Sequence, residues 1–266
     1  MGGRGPLILV GLLCSVAVEA HAQDVMSRCG GDPLPAGRVA RIVDGRSFVL
    51  DDGREIRLAS IEVPAMSDSS PAGQAAEAAL AAMLIGKTVA LRSAASTADR
   101  YGRTVTYAYT AGQGRNRSVA HTLLAQGHAR VGIEVGDPAC VAELLSQERI
   151  ARIGKIGLWS DPQYGILAAG NLTGLVAGRG RFAVVEGKVL SVRESGGTIY
   201  VNFGRRWSQA LTVTISKRQE RIFSGAGREP RAFENRFVRV RGWIEVRNGP
   251  QIEASRPEQI ELIAAN

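Results

Sequence analysis

The chain has 266 residues, 45% of them hydrophobic and 22% charged, with a formal net charge of +8. That length holds two small domains or one of ordinary size, and the composition excludes a disordered or low-complexity chain. Three histidines and three cysteines leave a zinc site almost no ligands to draw on.

At the N-terminus, Arg4 stands ahead of an apolar stretch from Pro6 to Val18, and Ala20-His21-Ala22 has a small-x-small pattern. The run is too short to span a bilayer, so residues 1–22 are expected to be a secretory signal removed after Ala22. The mature protein would then keep only Cys29 and Cys140, an even pair that predicts one disulfide in an exported protein. Such a bridge closes a long loop and contributes roughly 2–4 kcal/mol. Export and disulfide formation point to the periplasm.

Val39–Val43, Phe48–Leu50 and Ile56–Ile61 read as strands separated by Asp44-Gly45 and Asp52-Gly53, a hairpin signal because glycine tolerates positive φ. Ser70-Pro71 supplies an N-cap and first helical residue for an Ala-rich helix that ends at Gly86. Strands follow at Thr88–Arg92 and Thr104–Tyr109. A helix is predicted over Arg117–Gln126, then a short strand over His128–Val131. Asp137-Pro138 starts another helix, reaching Ile153, with Val141, Leu144, Leu145, Ile150 and Ile153 as its buried stripe. Five strands with inserted helices is an OB-type barrel order.

Residues 162–180 are Gly-rich with little periodicity and read as a linker. Beyond it, strands are expected at Phe182–Val192, Thr198–Phe203, Leu211–Ile215, Phe237–Val246 and Gln251–Glu253, with a helix near Ser216–Phe223 and an extended end at Glu258–Ile263. The fold class is therefore α+β, mostly β: one OB barrel in residues 23–161 and a smaller OB-like barrel in residues 181–266. Charge is uneven between them. Residues 23–178 carry 16 basic and 15 acidic residues, whereas residues 179–266 carry 16 against 9. A basic module suggests an anionic partner such as nucleic acid, phospholipid or an envelope polymer.

Four ordered stretches resemble one family. RIVDGRSFVLDDGREIRLASIEVPA (41–65), DRYGR (99–103), VAHTLLAQGHARV (119–131) and IGKIGLWSD (153–161) are similar to the staphylococcal (thermonuclease-type) nucleases. The resemblance implies an OB barrel that cleaves DNA and RNA with calcium. Carboxylates hold the metal, and two arginines grip the phosphate and stabilise its developing charge. On that likeness Arg57 and Arg103 stand at the phosphate-binding, catalytic positions, with Tyr101 between them.

The carboxylates depart from the family pattern. Its Asp-Gly-Asp becomes Asp44-Gly45-Arg46, its next aspartate becomes Glu62, and its Pro-Glu becomes Pro64-Ala65. Glu62 is the one candidate metal ligand of that set. Calcium needs six to eight oxygens, and a fixed cation at position 46 repels it by a few kcal/mol at an effective dielectric of about 20. No cofactor is therefore expected, or calcium if the chain is active, with Asp44 or Asp68 rebuilding a site. Arg46 and Arg100 are expected beside Arg57 and Arg103 on one phosphate-binding face. The opposing reading has Arg46 merely paired with Glu62 or Asp44.

In the second module, eight of the chain's 14 aromatics are interleaved with arginines, a combination suited to single-stranded nucleic acid. Trp207, beside Arg205 and Arg206, is the candidate stacking residue. Along Phe237–Arg241, Val238 and Val240 are expected to face inward. Together these features predict an exported protein that binds nucleic acid or another phosphate-rich polymer with weak or no hydrolysis. Two other readings stand: an active calcium-dependent phosphodiesterase with a rearranged site, and an envelope scaffold.

Overall fold

The computed structural model describes residues 29–65, 70–99, 101–111, 116–133 and 137–264. The expected signal, Asp68 and Arg100 lie outside them. Strands β1 (Pro33–Asp44), β2 (Ser47–Leu50) and β3 (Glu55–Leu58) form the expected meander, followed by the short β4 (Ile61–Glu62). Helix α1 (Pro71–Leu84) starts where the Ser70 hydroxyl accepts the Gly73 amide and Pro71 occupies the first turn, which needs no amide donor. β5 (Thr88–Ala98) and β6 (Thr104–Ala111) follow. Hydrogen bonding runs β1–β2–β3–β6–β5 and back to β1, closed by the parallel β3–β6 pair. This is a five-stranded OB barrel, whose closure removes exposed strand edges. Val39, Phe48, Leu50, Ile56, Leu58, Val89 and Leu91 fill it, all buried.

β7 (Asn116–Ser118) pairs with β6, so helix α2 (Val119–Ala125) begins later than expected. The Ser118 hydroxyl caps it by accepting the His121 amide, and Arg117 remains in the strand. β8 (Arg130–Val131) pairs with β4. Helix α3 (Pro138–Ile153) is capped by Asp137, whose side chain accepts the Ala139 amide. Cys29 and Cys140 form a disulfide with Cα atoms 4.7 Å apart, tying the segment before β1 to α3.

The Gly-Leu-Trp segment forms a 3₁₀ turn (Gly157–Ser160) against the end of α2, where the Leu158 amide donates to the Gly127 carbonyl at 2.8 Å. Gly157 has φ +56°, and a Cβ there would stand 2.5 Å from the Gly127 oxygen. Gly157→Ala is therefore expected to cost about 2 kcal/mol, read as a lower thermal midpoint. Gly225→Ala, where a Cβ meets nothing within 4 Å, is the control and should be close to neutral.

The second sheet follows the same plan. β10 (Phe182–Lys188) and β11 (Ser191–Ser195) are separated at residues 189–190, where one strand was expected over Phe182–Val192; β12 (Thr198–Asn202) and β13 (Thr212–Ser216) complete the meander. A 3₁₀ turn (Lys217–Gln219) and α5 (Glu220–Gly225) come next, in place of one continuous helix over Ser216–Phe223. β14 (Phe237–Val246), β15 (Pro250–Glu253) and β16 (Ile260–Ile263) finish the chain. β13 and β15 pair in parallel, and β14 joins β15 to β10, so the strand order repeats that of the first barrel. Val238 and Val240 point inward, fully buried, as expected.

Two further expectations change. Residues 162–180 are not a bare connector. They carry β9 (Leu167–Ala168), parallel to β10, and α4 (Leu172–Ala177), whose Leu175 is fully buried in the second core. Gly-rich composition concealed them because each is too short to show periodicity. The α3 stripe also rotates: Ile150 and Ile153 are exposed, while Cys140, Val141, Leu144, Glu148 and Ala151 are buried.

The rotation follows from what α3 packs against. Ala151 and Trp159 meet Val184 of β10, joining the barrels through a small apolar cluster. Beside it the fully buried Glu148 receives both terminal nitrogens of Arg241 on β14, at 2.9 and 3.1 Å. Glu148 also accepts the Val131 amide at 2.7 Å and Arg152 at 2.9 Å, while Arg241 donates to the Val131 carbonyl and to Glu261. Burial opposes ionisation of Glu148, but Arg241 and the remaining donors outweigh it and lower its pKa.

Candidate functional site

Strand register gathers the arginines predicted from sequence. Ser47 on β2 lies opposite Arg57 on β3, and Arg57 pairs with Val105 on β6, two residues beyond Arg103. The Leu58 amide donates to the Arg46 carbonyl at 2.8 Å. Arg46, Arg57 and Arg103 thus come from separate segments to line one cleft with Asp44 and Glu62.

Within it, Arg46 Nη1 is 2.6 Å from Glu62 Oε2 and donates to the Ile61 carbonyl at 2.9 Å. Glu62 Oε1 lies 3.9 Å from Arg57 Nη2. The Asp44 side chain accepts the Arg46 amide at 2.8 Å, and its other oxygen is 4.0 Å from Arg103. Asp99 organises the loop before β6. It accepts the amides of Tyr101 and Arg103, pairs with Arg103 at 2.7 Å, and sits 3.6 Å from Arg57. Partial burial works against its ionisation, yet these hydrogen bonds from Arg103 and the two amides hold its pKa below the usual carboxylate range. Burial lowers the pKa of Arg57, aided by the neighbouring Arg46 and Arg103 and opposed by Glu62. Tyr101 is exposed, with the Arg103 guanidinium 5.3 Å from its ring centroid.

This donor set does not fit a calcium ion, which takes six to eight oxygens. Both Glu62 oxygens and both Asp44 oxygens face N–H groups, the Ile61 carbonyl is taken by Arg46, and position 65 is an alanine. Arg46 and Glu62 do form the ion pair that was one of the two readings of the sequence. The cleft nonetheless stays open, at ≈ 490 Å³.

The opposite wall was not anticipated. Arg130, Tyr164, Arg181, Phe182 and Trp243 line it, the last three from the second module. Arg130 lies 5.3 Å over the Phe182 ring and 5.8 Å over that of Tyr164, and Arg181 lies 5.3 Å over Tyr164. Arg130 is 5% exposed, and burial lowers its pKa to about 10. Its Nε has no hydrogen-bond partner among the described residues. Arg46, Arg57 and Arg103 are matched in number by Asp44, Glu62 and Asp99, so the cleft's excess positive charge comes from Arg130 and Arg181. The sequence carried one signal for them: Arg130 sits inside the HARV strand and Arg181 directly precedes an apolar run.

Trp207, Arg205 and Arg206 are exposed on the loop between β12 and β13 but do not line this cleft. The Trp207 carbonyl packs instead against Gly249 in the β14–β15 turn. Part of the second module's basic charge is paired, as in Arg239 with Glu186 and Glu261, and Arg241 with Glu148 and Glu261.

Residues 55–161 match the family model described as staphylococcal nuclease homologue. Protein ParB of Escherichia coli is 33% identical over 135 residues, which cover 47% of this chain and 73% of that protein. The micrococcal nuclease of Shigella flexneri is 32% identical over 132 residues, covering 47% and 74%. With its OB barrel and the family's ordered motifs on it, the chain belongs to the staphylococcal nuclease family.

Proposed function

We propose that this protein is an exported, periplasmic member of the family that binds nucleic acid or a similar phosphate-rich polymer and hydrolyses it weakly or not at all. The observation that carries this reading is the Arg46–Glu62 pair at 2.6 Å beside Arg57 and Arg103 on one wall of an open cleft. Cations suited to a phosphodiester remain, while among the described residues the cleft's carboxylate oxygens face N–H groups and do not form an oxygen cage for a metal. Arg57 and Arg103 are assigned to the phosphate, with Tyr101 at the rim. The N-terminal apolar run and the Cys29–Cys140 disulfide support export. Among the described residues no helix is long and apolar enough to cross a membrane.

Titration calorimetry with a short oligothymidylate at low salt tests the reading. Wild type should bind with an affinity that falls as salt rises, because phosphate contacts release counterions. Arg57→Ala and Arg103→Ala should each weaken binding roughly tenfold or more, the loss of a charge-assisted hydrogen bond. Absence of heat with the wild type would sink the proposal.

A further inference from the structure

The far wall of the cleft has chemistry that phosphate binding does not require. Antiparallel pairing of β10 with β14 sets Phe182 opposite Trp243 and Val184 opposite Arg241. Val184 and Arg241 are buried against the first barrel, whereas Trp243, at the end of this ladder, is 44% exposed and lines the cleft. Phe182 braces it edge-to-face, ring centroids 5.9 Å apart and planes at 75°, which leaves ring surface open to the cleft. Beside this pair the buried Arg130 has an Nε without a partner among the described residues. A buried donor left in that state is costly unless a ligand or water completes it. One wall thus carries arginines paired with carboxylates, and the other sets aromatic rings beside Arg130 and Arg181, across a volume within the range that holds a small organic ligand, roughly 300–1,000 Å³.

We propose that the second barrel completes the arginine site as a base-stacking wall. Trp243, braced by Phe182, stacks an unpaired base of a single-stranded nucleic acid whose phosphodiester lies on Arg57 and Arg103, and Arg130 donates to the same nucleotide. This rests on the reading of the arginine face as a phosphodiester site. A paired base keeps its faces inside the duplex stack, so the aromatic wall selects single strands. Stacking is tolerant of base identity, because every base has a π-face.

Fluorescence anisotropy with two labelled ligands, a short oligothymidylate and an abasic phosphodiester strand of equal length, separates the two readings. Trp243→Ala should weaken the oligothymidylate roughly tenfold and leave the abasic strand unchanged, while Trp243→Phe retains most of the affinity. If Trp243→Ala does not fold, Trp243→Leu, which keeps bulk and removes the π-face, takes its place in the same comparison. The proposal falls if neither Trp243 variant changes oligothymidylate affinity, if the loss is equal on the abasic strand, or if it follows Trp207→Ala instead. In those cases phosphate binding stands whenever the wild type still binds the abasic strand. If the wild type binds neither ligand, the phosphodiester reading fails and the stacking wall with it.

Discussion

Glu148→Ala is expected to lower the protein's stability by about 3–5 kcal/mol, the usual cost of stranding one partner of a buried ion pair. The variant leaves Arg241, 1% exposed, with Glu261 as its one carboxylate partner among the described residues beside the Val131 carbonyl, and removes the acceptor for the Val131 amide and for Arg152. For a protein of this size that corresponds to a thermal midpoint lower by roughly 10 °C. A double variant, Glu148→Met with Arg241→Leu, should lose less than Glu148→Ala, because no uncompensated charge remains. The pH dependence has a definite sign. The folded-state pKa of Glu148 is depressed below its ordinary 4.5, so the stabilisation is complete above that value. It is lost as the pH falls through 4.5 toward the lower folded pKa. Thermal melts between neutral and acid pH should show wild type losing stability more steeply below about pH 4.5 than Glu148→Gln. Parallel curves would remove Glu148 from the account.

Arg46→Asp combined with Ala65→Glu is expected to produce the largest functional change, a gain of calcium-dependent cleavage of denatured DNA. In the wild type the Arg46 guanidinium occupies Glu62 and the Ile61 carbonyl together. Replacing it with a carboxylate frees those oxygens and removes a repulsion that amounts to several kcal/mol at an effective dielectric of about 20. Asp44, Glu62 and the two new acids then offer four carboxylates in one cleft, sufficient for affinity of roughly 10⁻⁴–10⁻³ M, the range of extracellular calcium modules. Calorimetry with calcium reads this directly, and digestion with calcium or with chelator reads the chemistry. Cleavage by the wild type that chelator abolishes would overturn the proposed function. Activity confined to the double variant would show an intact phosphate cradle lacking only its metal ligands.

The first barrel was legible because its signals are local. Asp-Gly turns, the Ser70-Pro71 and Asp137-Pro138 caps and the alternation of Val39 to Ile61 each act within a few residues. The ordered motifs that mark the nuclease family are likewise contiguous, so the sequence places Arg46, Arg57 and Arg103 on one face. Inward-facing Val238 and Val240 followed from the two-residue period of a strand. The same period could not say that Arg241 on the other face would be buried. A strand's outer face meets either water or another module, and nothing in the strand itself records which.

That difference separates the two halves of the account. The amino-acid sequence alone determined the α+β class, the family, three of the five arginines that line the cleft and the replacement of the family's carboxylates, because each depends on residue identity or short spacing. Only the tertiary structure decided that Arg46 is taken up by Glu62, that Glu148 and Arg241 lock the barrels together, and that the aromatic facing the arginines is Trp243 and not Trp207. Glu62 reaches Arg46 through the strand order of the first barrel, whereas Glu148 with Arg241, and Trp243 with the arginines, meet only where one barrel seats on the other.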